Sequence, residues 1–183
     1  MTKSKRTHAQ NLTLIYLISM GISTAIGGIV GHGLIHYISF AWKLPGWIAG
    51  MISVATLERA SIVHAKPWLH PKVSTFFSIF NIIELIFFII ASMVFLDFLF
   101  VEFHFLYGLL VIIAPFHAYV FFKNRHKSSL WLLASVALSL IAGLIFQMKI
   151  SPHIWFNHND LSHVVIGLAI LCIYQGTKNF SSS

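Results

Sequence analysis

The sequence predicts an all-α protein, a polytopic transmembrane helix bundle of about six helices forming a single domain over 1–183. Three observations carry that prediction. The chain is 57% hydrophobic and only 9% charged, whereas a soluble domain carries about 25% charged residues to cover its surface. Its apolar residues are gathered into runs near the roughly 20 residues that a bilayer crossing needs, and mean hydropathy is +0.83. Backbone groups in lipid must be satisfied within their own segment, and no strand-type alternation favours a barrel instead.

Polar or Pro-containing breaks separate the spans, which fall at 12–38, 46–64, 74–97, 104–122, 129–147 and 161–177. The first follows an N-terminal tail, 1–11, bearing Lys3, Lys5 and Arg6. Its apolar run continues past the 7 to 15 residues of a signal peptide, so an uncleaved helix is expected. A C-terminal tail, 178–183, follows the last span, and no Pro/Gly/Ser-rich linker divides the chain.

The breaks also orient the bundle. Lys66 and Lys72 lie between the second and third spans, Lys123, Arg125 and Lys127 between the fourth and fifth, and Lys178 follows the sixth. The opposite side carries only Lys43 and Lys149, with Asp97, Glu102 and Asp160 nearby. Excess Lys and Arg mark the cytoplasmic side, which places both termini there. The five tryptophans sit near span ends on both sides, as interfacial belts do. The net charge of +7 is thus accounted for by topology and is no nucleic-acid signature. The localisation expected is an integral membrane protein of the bacterial inner membrane. A single cysteine, Cys172, excludes an intrachain disulfide.

Histidine is where chemistry collects. Of eleven, His8, His64, His70 and His126 fall in cytoplasmic segments and are expected to be solvated, while His117 lies deeper in the fourth span. His32, His36, His104, His153, His158 and His163 fall at the outer ends of spans or in outer loops. In GGIVGHGLIHYI, Gly28, His32 and His36 are spaced by four and share a helix face. Gly27 and Gly31 form a GxxxG pair that would let another helix approach. The structural alternative is that the glycines serve packing and the histidines bond a carbonyl or headgroup.

WFNHNDLSHVV, residues 155–165, opens the last span. Asn159 or Asp160 is expected to cap that helix, which leaves His158 and His163 unexplained by capping alone. Asp160 to His163 is i to i+3 and Asn159 to His163 is i to i+4, so each can share a face with His163. His158 would converge with them only from a preceding non-helical turn. Histidine and carboxylate from separate helices suit Zn²⁺, which in catalytic sites takes three protein ligands and a water. The expected metal ligands are His32, His158 and His163, with Asp160 as fourth ligand, orienting group or general base. His36, Asn159, His104, Glu84 and His117 are candidates for supporting or proton-relay roles. At mid-membrane a Glu84–His117 pair is expected, and Glu58 and Arg59 are expected to pair or snorkel. The aromatic FLDFLFVEFHFLY run is expected to face lipid and the interface.

The two motifs GGIVGHG and WFNHNDLSHVV resemble a group of small bacterial membrane proteins. More distantly they resemble the alkaline-ceramidase and progestin/adiponectin-receptor superfamily of membrane hydrolases. That resemblance covers under a fifth of the chain. It implies a zinc-dependent hydrolase of a lipid amide or ester bond, in a seven-helix bundle. His32 and His163 match the superfamily's motif positions. Gly28 stands where its serine would be and Asn159 where its other histidine would be, and the second span lacks its aspartate. One N-terminal helix would also be missing.

Three functions follow as expectations. The first is a zinc hydrolase acting on membrane lipid, with Asp160 moving protons. The second is transport of protons or a divalent metal, with Glu84 and His117 as mid-membrane steps. The third is a membrane haem protein with axial histidine pairs.

Overall fold

The computed structural model describes residues 6–34, 36–178 and 180, with His32 described by its backbone alone. It holds six long helices among these residues: α1 (His8–Gly28), α2 (Leu44–Ala65), α3 (Pro71–Phe95), α4 (Leu99–Asn124), α5 (Lys127–Gln147) and α6 (His158–Lys178). Each overlaps one predicted span. The described residues contain no named strand, only an isolated bridge between His153 and Phe156.

Local chemistry starts and stops these helices. Thr7 and Gln10 form a reciprocal capping box at the head of α1, at 3.2 and 2.9 Å. The helix therefore begins four residues before the predicted span. Its regular part ends at Gly28, followed by a π-helical turn, Ile29–Gly33, where glycines at 27, 28, 31 and 33 weaken the α-helix. Pro71 sits in the first turn of α3, where its missing N–H costs nothing. Left-handed residues, Leu96 and Arg125, terminate α3 and α4. Within α4 a π-helical segment, Gly108–Ile113, precedes Pro115. A proline there removes an N–H and crowds the carbonyl four residues back, and a widened turn relieves both.

Burial along α3 is the reverse of that in a water-soluble helix. On α3, Ile79, Ile82, Ile83, Ile86, Phe87, Ile90 and Val94 all point outward, while Asn81, Glu84 and Ser92 point inward. Glu58, His104, His117, Ser53 and Ser61 are fully enclosed. An apolar exterior around enclosed polar groups is the distribution that suits a helix bundle in an apolar medium. Five of the six helices are long and apolar enough to cross a membrane. The sixth, α2, carries Glu58 and Arg59 and is instead the hub, with 13 of its 22 residues buried.

α1 lies along α2, α5 along α6, and α2 also meets α3 and α4. The close approach of α1 and α2 is made by glycines of α2, not by the predicted Gly27–Gly31 pair. A Cβ at Gly50 would fall 2.9 Å from Ser23 Oγ, and one at Gly46 would fall 3.5 Å from the Gly27 nitrogen. Ser23 Oγ donates to the Gly46 carbonyl at 2.8 Å, fastening the crossing. A Cβ at Gly27, Gly28, Gly31 or Gly167 would meet nothing within 4 Å.

The ends of the helices that bear most of the basic residues come together. Gln10 Nε2 donates to the carbonyls of Thr177 and Lys178 at 3.3 and 3.2 Å, and Tyr119 OH donates to the Trp68 carbonyl at 3.0 Å. Phe180, in the predicted tail, is buried and belongs to the same apolar cluster as Ala9, Tyr16 and Leu57.

Candidate cation centre

Three helices each place polar groups at helical spacing on one inward face. α2 supplies Met51, Ala55 and Glu58; α3 supplies Asn81 and Glu84; α4 supplies His104, Tyr107 and Gly108. On α2 and α3 these positions are three or four apart and stack on a single stripe, and on α4 Tyr107 and Gly108 flank that stripe three and four residues after His104.

Their side chains converge. His104 Nδ1 lies 2.8 Å from Glu84 Oε2, and His104 Nε2 lies 3.0 Å from the Met51 carbonyl. A carbonyl only accepts, so Nε2 carries a hydrogen and, in the neutral ring, Nδ1 presents its lone pair to the carboxylate. Asn81 Nδ2 donates to Glu58 Oε2 at 3.0 Å and to the Ala55 carbonyl at 3.1 Å. One ligand atom from each of Glu58, Glu84 and His104 lies within 4.8 Å of the other two, all buried. Glu58 Oε1, Glu84 Oε1 and the Tyr107 hydroxyl are buried without a hydrogen-bond partner among the described residues.

Gly108 makes the assembly possible. A Cβ at that position would fall 2.5 Å from Glu58 Oε1 and 2.8 Å from Val54 Cγ1. The residue also opens the π-helical segment of α4, a feature that often marks functional sites.

Electrostatics then constrains what the centre holds. Two carboxylate charges within 4.8 Å repel by roughly 3.5 kcal/mol at an effective dielectric of about 20, before any desolvation cost. Nδ1 and Oε2, both acceptors at 2.8 Å, need a bridging cation as well. Protons on the two sites, or one divalent ion, would supply the missing positive charge. The donor set fits a metal: two carboxylates and one neutral imidazole neutralise a 2+ ion. The Nε2–H bond to a backbone carbonyl is the outer contact that orients a metal-binding histidine.

The predicted pairs are rearranged. Glu84 pairs with His104, not with His117, which lies thirteen residues further along α4, about 20 Å at 1.5 Å per residue. His117 Nε2 lies 3.1 Å from Ser61 Oγ, whose own hydrogen goes to the Leu57 carbonyl at 2.9 Å. Ser61 therefore accepts from Nε2–H, and Ser129 at 3.3 Å donates to Nδ1, leaving His117 satisfied as a neutral ring. Glu58 and Arg59 do not pair, because successive helical residues point about 100° apart. Glu58 faces the centre while Arg59 donates to the Ser78 carbonyl at 2.5 Å. His104, expected at the outer interface, is wholly buried, and His64, expected in solvent, stacks on Phe180 with ring centroids 4.1 Å apart.

The motif that opens α6 contains a helix cap. Asn157 Oδ1 accepts from Asn159 N at 2.8 Å, and Asp160 Oδ2 accepts from Asn157 N at 3.0 Å. The cap is thus Asn157, with Asp160 as its reciprocal partner. His158 begins the helix and lies 3.4 Å from Ser151 Oγ. His163 is exposed and donates through Nδ1 to the Asn159 carbonyl at 2.6 Å. His36 is exposed. The His32 side chain lies outside the described residues, and so does its predicted meeting with His163. Among the described residues only Glu58, Glu84 and His104 bring ligand atoms of three such side chains within 4.8 Å of one another. Glu58, Asn81 and Tyr107 were not among the predicted site residues. Their signal was polar side chains at i, i+3 and i+4 in otherwise apolar helices.

No match was found among curated proteins or among solved structures. A family model covers residues 1–182, so the chain belongs to a family of unknown function, DUF6962.

Proposed function

We propose that the chain is an integral membrane protein that binds a divalent metal ion at Glu58, Glu84 and His104 and passes it across the bilayer. Two buried carboxylates with oxygens lacking a hydrogen-bond donor carry this reading. Full burial of the three ligands favours an ion over a lipid as the species handled, since a scissile bond would need an approach to the metal. Glu58, Ser61 and His64 follow one another on α2 at three-residue steps, all buried, toward the basic end. Each step rises about 4.5 Å, which supports a polar route from the centre to that end. By the Lys/Arg bias that end faces the cytoplasm, with both termini.

The test is metal stoichiometry on purified protein, followed by Zn²⁺ and Mn²⁺ flux into proteoliposomes. Wild type is expected to hold one ion per chain and to conduct. Glu84→Gln and His104→Ala are expected to lose the ion and the flux together. Full metal retention in both variants rejects the centre. Binding should also release protons, up to two when both bridging sites are protonated beforehand, which calorimetry in buffers of different ionisation enthalpy reads directly.

The zinc lipid-hydrolase reading rests on the resemblance of the two motifs and places its ligands at His32, His158, His163 and Asp160. Metal kept by Glu84→Gln but lost by His163→Ala would favour it over the buried centre.

A further inference from the structure

A groove of about 440 Å³ opens on the flank of the bundle, lined by the first turn of α1, the basic end of α2 and the first half of α3. Arg59, Ile62 and Val63 of α2 and Lys66, just past its end, follow the i, i+3, i+4, i+7 stripe of one face. α2 and α3 run in opposite directions, so Lys66 lies toward Ser74 and Arg59 toward Ser78. Lys66 and His8 are exposed, and Arg59 is half-buried with one guanidinium nitrogen on the Ser78 carbonyl. Beyond these polar groups, toward the middle of α3, the wall becomes Ile79, Ile82 and Ile83, each more than half exposed. The groove is therefore cationic and hydroxyl-lined at the helix ends and aliphatic toward mid-helix.

We propose that this groove binds one anionic phospholipid of the inner leaflet, a proposal that rests on the membrane reading above. Arg59 and Lys66 hold the phosphate, Ser74 and Thr75 lie at headgroup level, and an acyl chain follows the isoleucines. A guanidinium has five N–H donors in a fixed fork suited to phosphate oxygens, and one carbonyl occupies only one of them. Basic pockets between membrane helices on the cytoplasmic side take anionic headgroups for this reason. The polarity gradient selects a lipid rather than a free anion, because an inorganic phosphate would leave the aliphatic wall uncovered.

The experiment is native mass spectrometry of the full chain in a neutral detergent, with equal phosphatidylglycerol and phosphatidylcholine added. Wild type is expected to retain one phosphatidylglycerol in preference to phosphatidylcholine. Arg59→Gln and Lys66→Gln should each lower the preference about fivefold, the equivalent of ~1 kcal/mol per basic residue. Lys43→Gln and Lys149→Gln, at the opposite end, should leave it unchanged. Millimolar inorganic phosphate should not displace the lipid; displacement would assign the site to a free anion and overturn the proposal. Equal retention of both lipids overturns the site while leaving the membrane reading standing, and retention of neither overturns both. A two-chain species that excludes lipid would instead assign the groove to a second copy. Should Arg59→Gln fail to fold, Lys66→Gln and His8→Gln, both at exposed positions, supply the readout.

Discussion

Gly108 shows how one missing methyl group can decide a site. Glu58 Oε1 lies only 2.5 Å from where its Cβ would be, so Gly108→Ala must push either the carboxylate or α4 aside. Overpacking of this kind costs about 1–3 kcal/mol. The expected outcome is a lower thermal midpoint in detergent together with loss of the bound ion. Asn81→Leu attacks the same group from the other side, removing the amide that serves both Glu58 Oε2 and the Ala55 carbonyl. Leaving the buried Glu58 Oε2 unserved costs about 1–3 kcal/mol, and weaker metal binding should accompany the loss. Asp160→Ala is the contrast. It removes a reciprocal cap worth about 1 kcal/mol at an exposed helix start, and should leave stoichiometry at the buried centre unchanged. If Asp160→Ala alone strips the metal, the outer-face reading gains and the buried one fails.

Helix contacts in this bundle are made where glycines meet neighbours, and glycine number alone does not locate them. A Cβ at Gly176 would collide with Leu132 Cδ2 and fall 3.0 Å from both the Ser128 carbonyl and Trp131 Cβ, whereas one at Gly143 meets nothing within 4 Å. Gly176→Ala should therefore force α5 and α6 apart and lower the thermal midpoint. Gly143→Ala should be neutral or stabilising by up to about 1 kcal/mol, since alanine is the better helix former. Equal effects of the two substitutions would contradict the observed packing. The GxxxG pair at Gly27 and Gly31 was visible in the sequence, yet the tight crossing uses Gly46 and Gly50 against Ser23. Both motifs look alike in one dimension, and only the neighbour that Ser23 anchors at the Gly46 carbonyl distinguishes them. α4 makes the same point: Pro115 announces a disturbance, but not that it takes the form of a π-helical segment beginning at the residue beneath Glu58.

For the whole molecule, the inside-out distribution of polarity and the gathering of basic residues at one end predict a definite topology. Single cysteines at Asn124 and Pro152, in a background with Cys172 replaced by serine, should be labelled by an impermeant maleimide from opposite sides of sealed vesicles. Labelling of both from the same side would break the alternation of the six helices. All six helices were legible in the sequence, because hydropathy acts over whole turns and each span records its own environment locally. Even α2, the one long helix that is not apolar enough by itself to count as a span, was identifiable as an element, though not as the enclosed hub. The site was far less legible. Glu84 and His104 each read as candidates but not as a pair, Glu58 read as pairing with Arg59 or snorkelling, and in the motif that opens α6 capping accounts for Asn157 and Asp160.

The amino-acid order by itself determined the helices, their approximate limits and the predicted sidedness of the basic loops, because these depend on composition within a segment. Only the tertiary arrangement decided that Glu58, Glu84 and His104 share a centre while His117 turns to Ser61 and Ser129. Helical periodicity sets which residues share a face, but the rotation and depth at which one helix meets another are set by packing between helices. Which acid faces which histidine is therefore written in contacts such as Gly108 beneath Glu58, not in any single span.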